Sequence, residues 1–447
     1  MLPIEFINSM ERQLGQELDA FCRALQQPAI TSVRLNRGKI TRLTNWQSKD
    51  LEQVPWCKDG YYLETRPIFT LDPCLHAGCY YVQEASSMFL QQVLEQYVRR
   101  DSVVLDLCAA PGGKSTLISE YLSDEGLLVT NEVVRQRVFV LSENIQKWGN
   151  GNAVVTFNKP QDFGERLPNL FDCVLVDAPC SGEGMFRKDE QAIEEWSERN
   201  VEICVERQRH ILSDVWDALK PGGILIYSTC TYNEQENEQN VRWIQKELGA
   251  DILPIEYDVK WGITPTIGYH FYPHKVKGEG LYMCALRKKE RPYQPYKIKV
   301  DKKKAQNAVE NEEELRKWLI HPEKWSIRQS DRFSNAFPAK FEDLVCLLPN
   351  KLTCISTGIG LGEMRGRQPV PQHSLSMAKD FKTEMFNKLE VDKETALNYL
   401  RSEALMLENT KEGIILLTFH DVPLGFVKNV GNHCNNLYPK EWRIRKV

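Results

Sequence analysis

The sequence predicts an α/β protein whose largest domain is a doubly wound parallel sheet. Between residues 101 and 228, short apolar runs alternate with amphipathic segments, which is the pattern of parallel strands covered by helices on both faces. Loops of small and polar residues follow several of these runs. The flanking regions show other patterns, so a small α+β domain is expected at each end. The predicted units are residues 1–85, 86–289, a charged linker 290–325, and 326–447.

The first unit begins with helical periodicity. Apolar residues recur at helical spacing between positions 6 and 25, which predicts a helix that Pro28 ends. Residues 31–36 alternate like a strand, and residues 80–97 return to a helical pattern. This unit is therefore predicted to combine helices with a small sheet.

The central unit contains the predicted parallel strands. They are residues 103–107, 127–130, 153–157, 171–177 and 224–228. Helices are predicted between them, from the loop after the first strand to position 122, over 134–148, and over 190–220. This order of strands and helices gives the β-α-β alternation of a doubly wound sheet.

The last third of the chain divides into a linker and a further domain. Residues 288 to about 325 are first basic and then acidic, with little apolar periodicity. From about residue 326, strand-like apolar runs appear at 344–348, 414–418 and 425–427. These runs predict a separate C-terminal α+β domain.

The composition is that of a globular protein. The chain has 447 residues, of which 42% are hydrophobic and 26% charged, and such a length accommodates two or three domains of roughly 100–200 residues. No apolar run approaches the roughly 20 residues of a membrane span, and the first residues lack the features of a signal peptide. A cytoplasmic location without membrane contact is therefore expected.

Cysteine is frequent, but the pattern is not that of a disulfide scaffold. The thirteen cysteines are widely spread and include no Cys-x-x-Cys pair, so reduced thiols and no metal site are expected. Cys173 and Cys284 lie within apolar runs and are predicted to be buried. The odd count directs attention to a reactive thiol.

The net charge of −4 conceals local basic segments. One lies between Arg287 and Lys304, and a cluster near the end contains Lys440, Arg443, Arg445 and Lys446. Such segments suit contact with phosphate groups. A solvated linker and a charged tail explain them equally well.

A loop of small residues separates the first predicted strand from its helix. Its residues are Cys108, Ala109, Ala110, Pro111, Gly112, Gly113 and Lys114. Small side chains let a ligand approach the backbone, and the following helix offers free N–H groups. Glu132 follows the second strand directly, where an acidic residue can accept hydrogen bonds from ribose hydroxyls. The spacing is not that of a phosphate-binding P-loop. Glu132 as a solvated helix cap and Lys114 as a surface lysine remain open alternatives.

Two cysteines follow the ends of predicted parallel strands. Cys180 lies in Asp-Ala-Pro-Cys-Ser-Gly-Glu-Gly, which begins at Asp177, and Cys230 lies in Tyr-Ser-Thr-Cys-Thr-Tyr. Doubly wound sheets bind ligands beyond the carboxyl ends of their strands. Taken singly, each cysteine would more often be structural. Two of them beside a predicted cofactor loop favour a reactive site.

Paired cysteines at such a place fit methyl transfer to carbon 5 of cytosine. This carbon is a weak nucleophile, but thiolate addition to carbon 6 makes it enamine-like and able to attack a sulfonium methyl group. Afterwards a base must remove the proton from carbon 5 and the thiol must leave, which a second cysteine could assist. Asp177 is placed to bond the edge of the base or to stabilise its protonated ring. Methylation of an exocyclic amine would need no thiol.

Several motifs resemble the Sun/Fmu/Nop-type cytosine-5 RNA methyltransferases. They are the loop 108–114, the run from Asp177 to Lys188, and Ser-Thr-Cys-Thr at 228–231. Residues 80–86 and 273–280 are similar to further signatures of the family. The resemblance covers residues 30–290 and implies a Rossmann-like S-adenosylmethionine-dependent methyltransferase core acting on RNA.

The resemblance also implies roles for individual residues. Cys230 would be the covalent nucleophile and Cys180 would aid product release. In cytosine-5 DNA methyltransferases the Pro-Cys cysteine is the nucleophile, so this choice rests on the resemblance alone. Residues 108–114, Glu132 and Asp177 would contact S-adenosylmethionine. Asn158 stands where the family usually has an acidic residue near the adenine, and it is expected to contact the cofactor in its place.

The C-terminal unit resembles the tail of the bacterial subgroup that acts on small-subunit (16S) ribosomal RNA. The similar segments are 359–367, 371–375, 425–428 and 438–440, and they imply a PUA-like RNA-binding module. Arg365, Arg367, Lys428 and Lys440 are candidates for phosphate contact, with ordinary surface charge as the alternative. His373 is expected either to pack or to touch RNA, and Trp442 to anchor the tail.

The expected activity is thus S-adenosylmethionine-dependent cytosine-5 methylation of 16S rRNA by a monomeric, cytoplasmic enzyme. A tRNA cytosine-5 methyltransferase is the alternative on the same core. A ribosome-assembly factor without activity would need neither thiol, and a DNA methyltransferase is disfavoured by the second cysteine and the flanking motifs.

Overall fold

The computed structural model describes residues 2–40, 51–298, 312–330, 333–365, 368–407 and 411–445. Its strands are β1 Thr31–Leu35, β2 Gly60–Leu63, β3 Tyr80–Val82, β4 Val103–Asp106, β5 Leu127–Asn131, β6 Ala153–Thr156, β7 Phe171–Asp177, β8 Leu219–Thr229, β9 Ala250–Leu253, β10 Thr264–Pro265, β11 Tyr269–Phe271, β12 Leu281–Lys288, β13 Trp325–Ser330, β14 Phe333–Pro338, β15 Cys354–Thr357, β16 Ile359–Arg365, β17 Gln368–Pro371, β18 Asn387–Glu390, β19 Gly413–Phe419, β20 Val422–Asn429 and β21 Cys434–Asn436. Its α-helices are α1 Ile4–Leu14, α2 Leu18–Leu25, α3 Pro73–His76, α4 Leu90–Tyr97, α5 Gly113–Tyr121, α6 Arg135–Trp148, α7 Pro160–Arg166, α8 Glu190–Glu195, α9 Glu198–Val215, α10 Glu238–Trp243, α11 Glu312–Arg316, α12 Glu342–Leu347, α13 His373–Met377 and α14 Lys393–Leu400.

The N-terminal unit combines two helices with a small antiparallel sheet in the order β2-β1-β3. The predicted helix over 6–25 is divided into α1 and α2, because Gly15 adopts a positive φ of 53° that ends the first helix. The predicted helix over 80–97 begins only at Leu90. Its first residues form β3, which pairs with β1.

The predicted doubly wound parallel sheet is confirmed. Strands β6, β5, β4, β7 and β8 lie side by side in this order, and each neighbouring pair is parallel. β12 then pairs antiparallel with β8. At the opposite edge, β15 arrives from the C-terminal unit and pairs antiparallel with β6. One strand of the region predicted as a separate domain is therefore part of the central sheet.

Both faces of this sheet are buried, which explains the continuous apolar runs of its strands. Val104, Leu128 and Leu175 contribute to the core on one face, whereas Leu105 and Val129 contribute to the core on the other. Cys173 and Cys284 are fully buried, as predicted. All thirteen cysteines are free.

The C-terminal unit contains two four-stranded sheets, β13-β14-β16-β17 and β18-β19-β20-β21. The predicted strands at 414–418 and 425–427 are confirmed as parts of β19 and β20. The predicted strand at 344–348 is wrong, because this segment lies largely in helix α12, which buries Leu344 and Leu347. A short apolar run fits a buried helix as well as a buried strand, so periodicity could not separate them.

Within the described residues, no helix combines the length and apolar character that a membrane span requires.

Candidate functional site

The two cysteines singled out from the sequence lie together. The Sγ atoms of Cys180 and Cys230 are 3.2 Å apart, and both residues are partly buried. They meet because β7 and β8 are neighbouring parallel strands, with Asp177 paired to Ser228 at their carboxyl ends. The loops that follow these strands carry one thiol each.

The loop of Cys180 inserts a carboxylate into the loop of Cys230. Glu183 is fully buried, and one carboxylate oxygen accepts hydrogen bonds from the Thr231 hydroxyl at 2.5 Å and from the backbone N–H groups of Tyr232 and Asn233 at 2.7 and 3.0 Å. Its other oxygen accepts from Trp196 and from the Asn233 amide, each at 3.0 Å. Glu183 is thus bound by five donors.

The loop of Cys230 in turn contributes a buried carboxylate, Glu236, which binds the loop of Cys180. Glu236 is also fully buried, and it accepts from the backbone N–H of Ser181 at 3.0 Å, from Gln208 at 2.7 Å and from Asn233 at 2.8 Å. Burial raises the pKa of Glu236 against these hydrogen bonds. Each thiol-bearing loop therefore supplies an acceptor for the backbone of the other.

The close contact of the loops requires glycine at position 184. A Cβ atom there would lie 2.9 Å from the carbonyl oxygen of Gly280 and 3.0 Å from that of Cys230. The Gly184 N–H donates to the same Cys230 oxygen at 2.9 Å. A side chain would push the two loops apart.

The thiol of Cys180 is held in its protonated form. Its pKa is raised well above the ordinary value, first by the hydrogen bond with Cys230 and then by burial and the negative charge of Glu236. A protonated Cys180 can donate its S–H to the sulfur of Cys230.

Asp177 joins the cysteine site to the small-residue loop. One of its carboxylate oxygens accepts from the Ser228 hydroxyl at 2.7 Å, and the other forms an ion pair with Lys114 at 2.8 Å. Burial lowers the pKa of Lys114, but the adjacent Asp177 outweighs it and the net shift is upward. The Asp177 side chain is 34% exposed, so it can accept a further donor.

The loop 108–114 connects β4 to α5. Gly112 has a positive φ of 116° immediately before the helix, a conformation that favours glycine. Ala109 N–H donates to Asn131 O at 2.9 Å, and the carbonyl groups of Ala110 and Pro111 accept from Arg137 and Asn144. The loop is thereby tied to β5 and to α6.

Acidic groups lie next to this loop. Glu132 is 4% exposed; it accepts from the N–H of Val134, the residue before α6, at 2.9 Å and lies 3.5 Å from the Arg137 guanidinium. Asp106 is fully buried, and burial raises its pKa to about 7 despite a hydrogen bond from Ser115. Among the described residues, its second oxygen has no hydrogen-bond partner.

Asn158 follows β6, as its position after the third strand predicts. Its amide donates to Thr353 O at 3.2 Å and accepts from Thr353 N at 3.0 Å. Both polar atoms of the side chain are therefore engaged with the segment that leads into β15.

A buried ion pair ties the N-terminal unit to the Cys180 loop. Arg187 and Glu279 are 2.8 Å apart with side chains 3% and 2% exposed. Glu279 also accepts from Ile30 N at 2.6 Å, and Arg187 donates to Ala24 O and Gly278 O. Phe6 of α1 packs on Phe186, with ring centroids 5.0 Å apart.

Of the C-terminal candidates, Lys428 and Lys440 are exposed. His373 is 8% exposed and packs against Tyr438 and Trp442 with ring centroids 5.0 and 5.3 Å away, so it is a packing residue here. The Trp442 ring also lies beneath the Lys147 ammonium of α6. Arg367, Lys446 and residues 299–304 lie outside the described residues, as does the side chain of Arg365.

Sequence reasoning missed the carboxylates that organise the site. Glu183 lies within the run from Asp177 to Lys188, where the sequence shows it only as part of a polar turn. Glu236 lies in a run of Glu, Gln and Asn from 233 to 240 that is typical of a solvated helix start. No feature of the sequence distinguishes it there from Glu234. Among the described residues, no group of His, Cys, Asp or Glu could hold a metal ion.

Comparison with known proteins assigns the chain to a family. Residues 93–287 match the family model "16S rRNA methyltransferase RsmB/F", residues 2–85 match the N-terminal domain of RsmF, and residues 386–444 match the RsmF PUA domain. The ribosomal RNA small subunit methyltransferase F of Salmonella agona is 32% identical over 98% of this chain and 96% of its own length.

Solved structures agree with the fold. A methyltransferase homologue from Pyrococcus horikoshii is 27% identical with a TM-score of 0.55 and covers 63% of this chain and 94% of its own. NSun6 from the same organism, solved with SFG, is 21% identical with a TM-score of 0.56 and covers 65% of this chain and 99% of its own. The chain belongs to the RsmB/F family of 16S rRNA methyltransferases.

Proposed function

We propose that the protein methylates carbon 5 of cytosine in 16S rRNA with S-adenosylmethionine, through a covalent adduct on Cys230. The observation that carries this proposal is the pair of thiols 3.2 Å apart at the carboxyl ends of two parallel strands. The activity named for the Salmonella relatives, small-subunit rRNA methylation, supports the substrate. Binding of RNA without chemistry would require neither thiol.

The residues present fit S-adenosylmethionine. The cofactor carries a sulfonium and an ammonium group, and the loop 108–114 is bordered by the carboxylates of Asp106, Glu132 and Asp177. The buried Asp106 oxygen without a partner among the described residues is available to a donor. We assign the cofactor to the loop 108–114, Glu132 and Asp177. Asn158 remains a candidate for a further contact with the cofactor, because its amide keeps a second N–H and a second lone pair beside the bonds to Thr353.

The bound cofactor would supply an electrophilic methyl group and leave as the neutral thioether S-adenosylhomocysteine. The Cys230 thiolate forms a bond to carbon 6 of the cytosine, and the electron pair of the C5=C6 bond becomes available at carbon 5 for the methyl group. A proton then leaves carbon 5 to water, the C5=C6 bond re-forms, and the C6–S bond breaks with its electrons on Cys230. One thiolate is consumed and one is returned.

Cys180 acts on the second half of this sequence. Because its pKa is raised, it is a thiol rather than a thiolate at neutral pH. Its S–H donates to the sulfur of Cys230 and stabilises that sulfur as the leaving thiolate. Loss of Cys180 should therefore slow release more than adduct formation.

Asp177 positions the base. Its partly exposed carboxylate is fixed by Lys114 and Ser228, and it can accept from the exocyclic amine of cytosine. The target nucleotide must leave its stack to reach Cys230, at a cost of a few kcal/mol. The PUA domain at 386–444 supplies RNA contacts that offset this cost. We further propose that the enzyme acts as a monomer in the cytoplasm, where its substrate is found.

The test is methyl transfer from labelled S-adenosylmethionine to 16S rRNA, 30S subunits and tRNA. Wild type, Cys230→Ala and Cys180→Ala are compared, with Cys204→Ala as a matched control because Cys204 is buried in α9. We expect 5-methylcytosine in rRNA, its loss in Cys230→Ala, and a protein–RNA adduct in Cys180→Ala. Transfer to tRNA alone, or full activity of Cys230→Ala, would overturn the proposal.

A further inference from the structure

We infer that Glu183 and Glu236 are positioning residues that act on different halves of the reaction, Glu183 on adduct formation by Cys230 and Glu236 on product release with Cys180. This inference rests on the proposed function. It assigns no contact with RNA or cofactor to either carboxylate. Both act through the loops that carry the thiols.

The argument starts from the donors that each carboxylate holds. Glu183 fixes the backbone immediately after Cys230, because it accepts the N–H groups of Tyr232 and Asn233 and the hydroxyl of Thr231. These residues continue directly from the predicted nucleophile. Without the carboxylate, the Cys230 loop loses the acceptor for two backbone donors and one hydroxyl.

Glu236 has the corresponding relation to Cys180. It accepts the N–H of Ser181, the residue directly after Cys180. It also holds Gln208, whose amide donates in addition to Pro179 O at 3.1 Å, directly before Cys180. The carboxylate therefore fixes the backbone on both sides of this thiol.

Other features of the loops do not replace these bonds. Ser181 and Thr231 share one hydroxyl–hydroxyl contact at 3.0 Å, and Asn233 bridges the two carboxylates. Ser181 and Thr231 each also bind one of the carboxylates. Two further bonds, from the Gly184 N–H to Cys230 O and from the Asn237 amide to Thr231 O, hold the Cys230 loop without either carboxylate. Two buried acceptors thus bind donors on both loops whose thiols lie 3.2 Å apart. Neither acceptor forms an ion pair with Lys, Arg or His among the described residues.

A buried carboxylate bound only by N–H and O–H donors serves geometry at a cost in stability. Glutamine has nearly the same shape, but its NH2 group would face N–H donors at either site. Glu183→Gln and Glu236→Gln therefore disturb the loops with little change in volume. Displacement of a reacting group by about 1 Å costs roughly 100-fold in rate.

Glu238→Gln is the matched control. Glu238 is two residues from Glu236 and is also buried, but it accepts from His270 and Thr266, not from either thiol loop. The three variants are compared with wild type for kcat, for KM of a 16S rRNA fragment, and for protein–RNA adduct on denaturing gels. Thermal unfolding and cofactor binding are measured on the same samples.

For Glu236→Gln we expect a fall in kcat of roughly 10- to 100-fold, a KM that falls with it because adduct accumulates, and the same accumulation of adduct as in Cys180→Ala. For Glu183→Gln we expect a similar fall in kcat without adduct, and suppression of the adduct when it is combined with Cys180→Ala. A purely structural role would lower the amount of folded enzyme without changing which intermediate accumulates.

If either variant fails to fold, Thr231→Val and Gln208→Met remove a single donor from Glu183 and Glu236, and the same opposite effects on the adduct are expected. The inference is overturned if the folded variants match Glu238→Gln, or if both change adduct in the same direction. A wild-type enzyme that methylates no RNA would refute the proposed function instead, so the two failures are distinguishable.

Discussion

The ion pair between Arg187 and Glu279 gives a quantitative prediction, because both side chains are almost completely buried. Glu279→Gln keeps the shape of the side chain but removes the charge. Arginine cannot lose its proton at accessible pH, so the guanidinium remains as a buried charge without its partner. Breaking a buried pair in this way costs about 3–5 kcal/mol of unfolding free energy.

The exposed pair of Arg242 and Glu234 provides the comparison. Both side chains are 53% exposed at 2.9 Å, and exposed pairs contribute about 0–1 kcal/mol. Glu234→Gln should therefore be nearly neutral. A double change to Arg187→Met and Glu279→Leu should recover only part of the loss, since Ala24 O and Gly278 O lose their donor.

The assay is urea unfolding combined with hydrogen exchange and mass spectrometry, because a chain of several units need not unfold in two states. Exchange should accelerate in α1, α2 and residues 183–188, which the pair joins, and remain unchanged in the C-terminal sheets. A loss below about 1 kcal/mol for Glu279→Gln would contradict the reasoning, as it would place this pair with the exposed ones.

Three further outcomes are expected. Asn158→Ala removes two hydrogen bonds to Thr353, so hydrogen exchange near β15 should accelerate. The affinity for the cofactor should change less than about 3-fold. A loss of affinity above tenfold would instead indicate that Asn158 contacts the cofactor directly. Burial raises the pKa of Asp106 to about 7, so between about pH 4 and pH 7 the folded state holds a proton that the unfolded state has lost. The contribution of Asp106 to stability is therefore present below about pH 4 and is lost as the pH rises to 7. The free energy of unfolding should fall by up to about 1.4 kcal/mol per pH unit in this range. Asp106→Asn should remove this slope in urea titrations, and an unchanged slope would exclude Asp106 as its source. Gly78→Ala should lower the melting temperature, because φ is +73° and a Cβ would lie 1.9 Å from Lys147 O. An unchanged melting temperature would mean that α6 can shift without a loss of stability.

The parallel sheet and the pair of thiols could be predicted because both depend on short-range pattern. Apolar runs that alternate with amphipathic segments predict the parallel strands. Because Cys180 and Cys230 each follow the carboxyl end of such a strand, both are predicted to lie at the same edge of the sheet. The adjacency of β7 and β8, which brings the thiols within contact, is a finding of the structure that the sequence pattern does not predict. The family resemblance added the assignment of the nucleophile, which the chemistry of thiols alone leaves open.

The features that the sequence does not predict depend on contacts between residues that are distant along the chain. Glu183 and Glu236 are ordinary acidic residues until the two loops are placed side by side, when each becomes the acceptor for the other's backbone. Asn158 is predicted to contact the cofactor from its order along the chain, and that stays a prediction; its bond to Thr353, which is 195 residues away, could not be predicted. Residues 344–348 are predicted as a strand but lie largely in helix α12, because a run of five apolar residues is too short to show whether its periodicity is that of a helix or a strand.

The pairing of β15 with β6 determines where the chain can be divided. A protein truncated near residue 290 would retain Cys180, Cys230 and the whole loop 108–114, yet it would expose the backbone N–H and C=O groups of β6 along the sheet. An uncovered sheet edge of this kind invites pairing with other molecules. Division of the chain at the charged segment should therefore give an aggregating catalytic fragment, whereas a fragment extending through Thr357 carries its own edge protection.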